Sequence, residues 1–285
     1  MIAMSKGNIV KQIRFIYLYA MTLNFFMMSC ATPSFQFSQQ AEELGFDEKD
    51  YQGTNFLHKV YVNRKPLENN LHVYLGSDGT PWQNPNRIAS DPTPRNPVML
   101  RLMALDPVAS VYVGRPCYHG FSHSLRCHPR WWTSGRYSEP VLDSLSSVLT
   151  QIANEYRKSD IVIFGYSGGG ALAMLLAERL AIIRGVVPVA GNLDIEAWVD
   201  YHSYSPLTES INPASHLPLK EELFQFHVIG SQDKVVPPHL VQAAIKRQGG
   251  IKPVVINNVD HQCCWEELWP GILNDINQAL DKKGQ

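Results

Sequence analysis

Three residues of this chain, taken in order, could together perform nucleophilic chemistry: Ser167, Asp233 and His261. A serine hydroxyl is a weak nucleophile until a base removes its proton, and an imidazole oriented by a carboxylate is such a base. Ser167 stands in Gly165-Tyr166-Ser167-Gly168-Gly169. The apolar run Ile161-Val162-Ile163-Phe164 before it predicts a short strand buried on both faces. Ala171-Leu172-Ala173-Met174-Leu175-Leu176-Ala177 after it predicts a helix. The serine then occupies a sharp strand-to-helix turn, with its hydroxyl projecting from the sheet edge. Small residues two before and two after let strand and helix pass closely. The N–H of Gly168 points where an oxyanion would form, at the positive end of the helix. A glycine-rich turn holding an ordinary serine is the bland alternative, and the flanking strand and helix argue against it.

The partners follow downstream. Leu223-Phe224-Gln225-Phe226-His227-Val228-Ile229 predicts a strand that runs into Gly230-Ser231-Gln232-Asp233. A carboxylate at a strand end can accept the imidazole Nδ1–H and fix its tautomer. Asp194, which follows the strand predicted at 185–190, is the second candidate acid. Val254-Val255-Ile256 predicts the last strand, and Asn257-Asn258-Val259-Asp260-His261 follows at once. His261 is the histidine that lies just past a strand and downstream of Asp233. Otherwise Asp233 would be a turn cap and His261 a core or surface side chain.

This constellation resembles the α/β-hydrolase superfamily, and the chain after about Tyr51 is similar to its secreted or lipid-anchored bacterial members. The resemblance implies a three-layer α/β/α fold with a mostly parallel central sheet and a site at the carboxyl ends of the strands. It implies Ser167 as nucleophile, His261 as base and Asp233 as acid, with no cofactor and no metal. In that superfamily the loop after the third strand supplies a second oxyanion N–H and usually carries a His-Gly pair. Here Gly76-Ser77 stands there, following the strand predicted over Leu71–Leu75. Placement then implies Gly168 and Asp78 as the oxyanion donors, with Ser77 as the neighbour that could take the role of Asp78. The segment 195–222, with Trp198, Tyr201, His202 and Tyr204, lies at the lid position and is short. The implied reaction is hydrolysis of an acyl bond in a small-molecule substrate, a carboxylic ester first. An amide or peptide hydrolase, or an acyltransferase, would use the same triad. The departure at Gly76-Ser77 keeps open a non-catalytic binding lipoprotein on the same fold.

Composition suits this reading. The chain has 285 residues, 45% of them hydrophobic and 18% charged, enough for a substantial core. A net charge of -1 without a clear basic run gives no footprint for nucleic acid. Lys6, Lys11 and Arg14 precede an apolar run from Phe15 to Met28, too short and interrupted for a confident membrane span. Met28-Ser29-Cys30-Ala31 then resembles a bacterial lipoprotein signal. The expected organisation is a signal peptide over 1–29, a lipidated Cys30, a polar tether over 30–50 and a hydrolase domain over 51–285. Ordinary secretion and an uncleaved anchor are the other readings. All three place the domain outside the cytoplasm, at the periplasmic side of the bacterial envelope.

Five cysteines occur. If Cys30 carries lipid, Cys117, Cys127, Cys263 and Cys264 remain as disulfide candidates, with three possible connectivities. Cys117 and Cys127 could staple one loop, while joining adjacent Cys263 and Cys264 needs a strained eight-membered ring. Cross-pairing is equally open, and no metal-ligand spacing accompanies these cysteines. The aromatic stretch 119–136, holding His119, His123, His128, Trp131 and Trp132, is either a cleft wall or a stapled loop with its own small core.

Overall fold

The computed structural model describes residues 32–283, apart from 158, 159, 217, 248 and 250. The expected signal peptide and Cys30 therefore lie outside the described residues. In chain order the elements are α1 (Pro33–Glu43), β1 (Asp47–Gln52), β2 (Leu57–Val62), β3 (Leu71–Leu75), β4 (Trp82–Asn84), β5 (Arg87–Ile88), α2 (Val98–Ala104), β6 (Ser110–Val113), α3 (Glu139–Glu155) and β7 (Ile161–Tyr166). They continue with α4 (Gly168–Arg179), β8 (Ile183–Val189), α5 (Ile195–His202), β9 (Phe224–Gln225), β10 (Val228–Gly230), α6 (Pro238–Lys246), β11 (Val254–Ile256) and α7 (Trp265–Lys283).

The main sheet runs β1-β2-β6-β3-β7-β8-β10-β11, with β9 beside β8. Pairing is antiparallel at β1-β2 and β2-β6 and parallel from β6 onward. Alternation along each strand divides the core in two. Leu71, Val73 and Leu75 of β3, with Ile161 and Ile163 of β7, face the layer built from α3, α4 and α6. Tyr74, Val162, Phe164 and Tyr166 face the layer of α1, α2 and α7, where Trp265 and Trp269 are fully buried. The fold is the expected three-layer α/β/α arrangement. The chain steps from β3 outward to β6 and then back across to β7. The crevice beyond the carboxyl ends of β3 and β7 is thus the natural place for a site.

Two local expectations need correction. The stretch read as a tether to residue 50 is folded from Pro33. Phe37 and Ala41 of α1 are buried in the second core layer, and Tyr51 of β1 is buried in the first. So few anchors suffice because β1 is an edge strand that gains a full antiparallel ladder with β2. Pro188 lies inside β8 opposite Gly165, and the register shift between β7 and β8 falls near Ile161 and Val162. Its missing N–H faces the β9–β10 side, between Val186, which accepts from Phe226 N, and Ala190, whose N–H bonds Val228 O. Lastly, the strand predicted over 223–229 is broken into β9 and β10.

The two cysteine pairs are both local. Cys117 and Cys127 bond at an S–S distance of 2.05 Å, and Cys263 lies at disulfide distance from Cys264 at 1.90 Å. The first pair staples the 119–136 stretch. There Trp132 is buried and donates to Ala89 O at 3.1 Å, and Trp131 packs edge-on against Phe56. Trp131 and Trp132 join the first core layer rather than forming a separate core of the loop.

Burial also sets the acid limit of the fold. His58 and His227 are held neutral, desolvation pushing each from its ordinary 6.5 down to about 4. Desolvation lowers His119 to about 3. The unfolded chain binds protons that the folded chain refuses, so stability is complete above about pH 6.5 and falls as pH drops towards 4. Each of the first two contributes on the order of 3 kcal/mol across that window. Urea midpoints measured from pH 8 to pH 4.5 should be level above neutrality and then decline steeply. A flat profile would contradict the neutral burial of these histidines.

Candidate active site

Ser167 sits between β7 and α4 at φ 56 and ψ −119, a conformation that turns a strand abruptly into a helix. Three backbone bonds hold it there. Its N–H donates to Val189 O at 3.0 Å, and its carbonyl accepts from Gly170 N at 2.9 Å and Asn192 N at 3.0 Å. The glycines around it are required by close approach. A Cβ on Gly165 would lie 2.2 Å from Gly169 O. A Cβ on Gly169 would lie 2.4 Å from Leu75 O and 2.5 Å from Gly76 O. The first turn of α4 is thus pressed onto the loop that leaves β3. Gly168, as the first residue of α4, has an N–H with no partner inside the helix. Ser167 itself is partly exposed.

Asp233 and His261 meet past the ends of β10 and β11. Asp233 Oδ2 contacts His261 Nδ1 at 2.7 Å, and both residues are buried. Asp233 Oδ1 accepts from the N–H groups of Val235 and Val236, each at 2.8 Å. The turn-cap role and the imidazole role therefore fall on separate oxygens of one carboxylate. The two loops are also laced together: Ser231 N donates to Ile256 O at 2.9 Å and Gln232 N to Val259 O at 2.9 Å. The His261 carbonyl is clamped by the Tyr166 hydroxyl and by Trp265 Nε1, the latter at 3.0 Å. The Tyr166 ring lies 5.0 Å from the imidazole. Burial raises the Tyr166 phenol, and the Asp233 charge adds to this, so it stays a donor. Asp260 points elsewhere and caps the turn at Gln262 N and Cys263 N.

The structure thus brings Asp233 and His261 together at the edge that carries Ser167. Among the described hydrogen bonds none joins Ser167 Oγ to His261. Such contacts are often long before substrate binds. Asp194, the second candidate acid, is occupied elsewhere. It caps α5 at Ala197 N, accepts from Asn212 and pairs with Arg247.

Two features escaped the reading of the sequence. Ser144 Oγ lies 2.8 Å from His58 Nε2, whose Nδ1 meets Gly114 O at 2.9 Å. This serine–histidine pair is buried at 0% exposure on both residues, lacks a carboxylate and ties β2 to α3, so it is a structural contact. The second is Asp78. Its side chain is bound by Arg115 at 2.8 Å, Arg136 at 2.9 Å and the Tyr137 hydroxyl at 2.7 Å. Burial would raise its carboxyl, but the two guanidinium groups hold it below the usual range. Tyr118 OH donates to the Asp78 carbonyl at 2.8 Å. A cavity of about 540 Å³ lined by Lys220, Phe224, Ile251 and Lys283 opens at the amino ends of the strands, away from these residues.

No family model matches the chain, and no curated protein matches it. Solved structures do. An esterase from Pyrococcus furiosus has a TM-score of 0.57 at 14% identity, covering 85% of this chain and 94% of its own. A membrane phospholipase A, described as a bacterial virulence factor, has a TM-score of 0.61 at 14% identity, covering 96% and 98%. A serine hydrolase homologue from Coxiella burnetii has a TM-score of 0.50 at 16% identity, covering 82% and 97%. The chain has the α/β-hydrolase fold.

The close packing at the elbow makes a specific demand. Gly169→Ala places a methyl group against two backbone carbonyl oxygens that no side-chain motion can clear. It should cost about 2–4 kcal/mol in a urea titration, in line with overpacking and strain at such sites. An unchanged midpoint would contradict the close approach of α4 to the β3 loop.

Proposed function

We propose that the protein is a serine hydrolase acting on an acyl bond, a carboxylic ester first, through Ser167, His261 and Asp233. The observation that carries the reading is the 2.7 Å Asp233–His261 contact, set at the same sheet edge as a serine held at positive φ in a strand-to-helix turn. The names of the esterase and the phospholipase among the structural neighbours add support for an ester.

The chemistry follows from the atoms present. Asp233 Oδ2 accepts the Nδ1 proton of His261, leaving the Nε2 lone pair to act as base. His261 takes the Ser167 proton as Oγ attacks the substrate carbonyl carbon. The carbonyl π electrons move onto oxygen. The Gly168 N–H and an N–H of the Ser77–Asp78 segment bind that oxyanion. Collapse expels the alcohol, which receives the proton from His261 and leaves an acyl-serine. Water, deprotonated by His261, then attacks the acyl carbon and releases the acid. Asp233 remains ionised and stabilises the imidazolium. We also propose that Cys30 carries a lipid and holds the domain at the periplasmic side of a bacterial membrane, a reading supported by Met28-Ser29-Cys30-Ala31.

A fluorophosphonate probe tests the nucleophile. Wild-type protein should be labelled on Ser167, as located by peptide mass mapping, while Ser167→Ala and His261→Ala should not be labelled. Asp233→Asn should lower turnover of a p-nitrophenyl ester on the order of a thousandfold or more. A folded, disulfide-intact wild type that takes no label would overturn the reading.

A further inference from the structure

The side chain of Asp78 lies against the backbone of Gly168. A Cβ on Gly168 would stand 2.0 Å from Asp78 Oδ1 and 2.5 Å from the Tyr137 hydroxyl. A carboxylate is thereby packed onto the peptide unit whose N–H is proposed to bind an oxyanion. Alone, that charge would oppose the negative charge that develops in the transition state.

Two buried cations reverse the sign. Arg115 and Arg136 reach Asp78 from the loop after β6 and from the segment before α3, with side chains 4% and 7% exposed. Arg136 bonds Asp78 Oδ2 through Nη1 at 2.9 Å and Thr133 O through Nε at 2.8 Å. Arg115 approaches Asp78 Oδ1 at 2.8 Å, off hydrogen-bond geometry, and its guanidinium stands 5.3 Å from the Tyr137 ring. Its Nε and Nη1 are buried without a hydrogen-bond partner. One carboxylate against two guanidinium groups leaves a net charge of +1. A cluster built only to hold a loop needs one cation for one carboxylate, whereas here a second guanidinium is buried beside the same carboxylate with Nε and Nη1 left without hydrogen-bond partners.

Resting on the serine-hydrolase reading, we propose that Asp78, Arg115 and Arg136 form a charge-inverted clamp. The carboxylate holds the Gly76–Gly79 loop against α4, and the surplus guanidinium sets a positive potential at the oxyanion position. Arg115 and Arg136 are positioning residues that act through the loop and through its field.

Charge exchange separates this from a purely mechanical clamp. Full-length protein with intact disulfides is compared as wild type, Arg136→Gln, Arg136→Lys, Asp78→Asn and the double variant Asp78→Asn/Arg136→Gln. The readouts are kcat and KM on p-nitrophenyl butyrate, the fluorophosphonate labelling rate and the thermal midpoint. Arg136→Gln brings the cluster to zero and should lower kcat about tenfold or more with little change in KM. Arg136→Lys keeps the charge without the fork and should retain kcat about tenfold above Arg136→Gln. The double variant restores +1 and should also exceed Arg136→Gln. If Asp78→Asn fails to fold, the Lys and Gln variants at position 136 decide alone. Equal loss in those two variants, or a double variant slower than either single, would overturn the proposal and leave a mechanical clamp. Failure of the wild type to take the probe would instead overturn the hydrolase reading.

Discussion

The arrangement depends on how closely the first turn of α4 can lie on the loop that leaves β3. Gly169 has no room for a methyl group because the carbonyls of Leu75 and Gly76 stand where one would go, and Gly168 has none because Asp78 does. With those two positions bare, the orphan N–H groups of a helix start come to the edge where β3 and β7 end. The positive φ of Ser167 is the conformational cost of this approach, and the bonds to Val189, Gly170 and Asn192 sustain it.

The opposite wall is assembled by different means. Asp233 and His261 lie on the loops that follow β10 and β11, and both are held mainly by backbone. Asp233 spends one oxygen on its own turn and the other on the imidazole. His261 is held through its carbonyl and through Nδ1, which leaves Nε2 directed to neither of these partners. Tyr166, next to Ser167 in sequence, is one of the groups that fix that carbonyl, so the strand that ends at Ser167 and the His261 loop are registered directly.

Much of this was legible in the sequence because the decisive signals are local. Glycines flanking Ser167 after an apolar run, Asp233 at a strand end and His261 just past the last strand each announce themselves within ten residues. What stayed hidden depends on partners distant in sequence. Segment 33–52 looks like a polar arm because few of its side chains, Phe37, Ala41 and Tyr51 among them, enter the core, and the pairing with β2 supplies the rest. The Asp78 side chain could not be read because Arg115, Arg136 and Tyr137 reach it from two later segments. The departure at Gly76-Ser77 was visible, but the side chains packed around Asp78 were not. Local pairing of the cysteines was one of three options until the loop around Trp132 placed Cys117 beside Cys127.

The central claim is that Ser167, the Asp233–His261 pair and the N–H groups at the α4–β3 loop contact form one acyl-transfer site. A crystal structure of the protein after reaction with a fluorophosphonate tests it most directly, since the tetrahedral phosphorus mimics the intermediate. The account predicts phosphorus on Ser167 Oγ, with the phosphoryl oxygen bonded to the Gly168 N–H and to an N–H of the Ser77–Asp78 segment, and His261 Nε2 turned toward the adduct. An adduct on Ser144 or another side chain, or a phosphoryl oxygen turned away from those N–H groups, would contradict it.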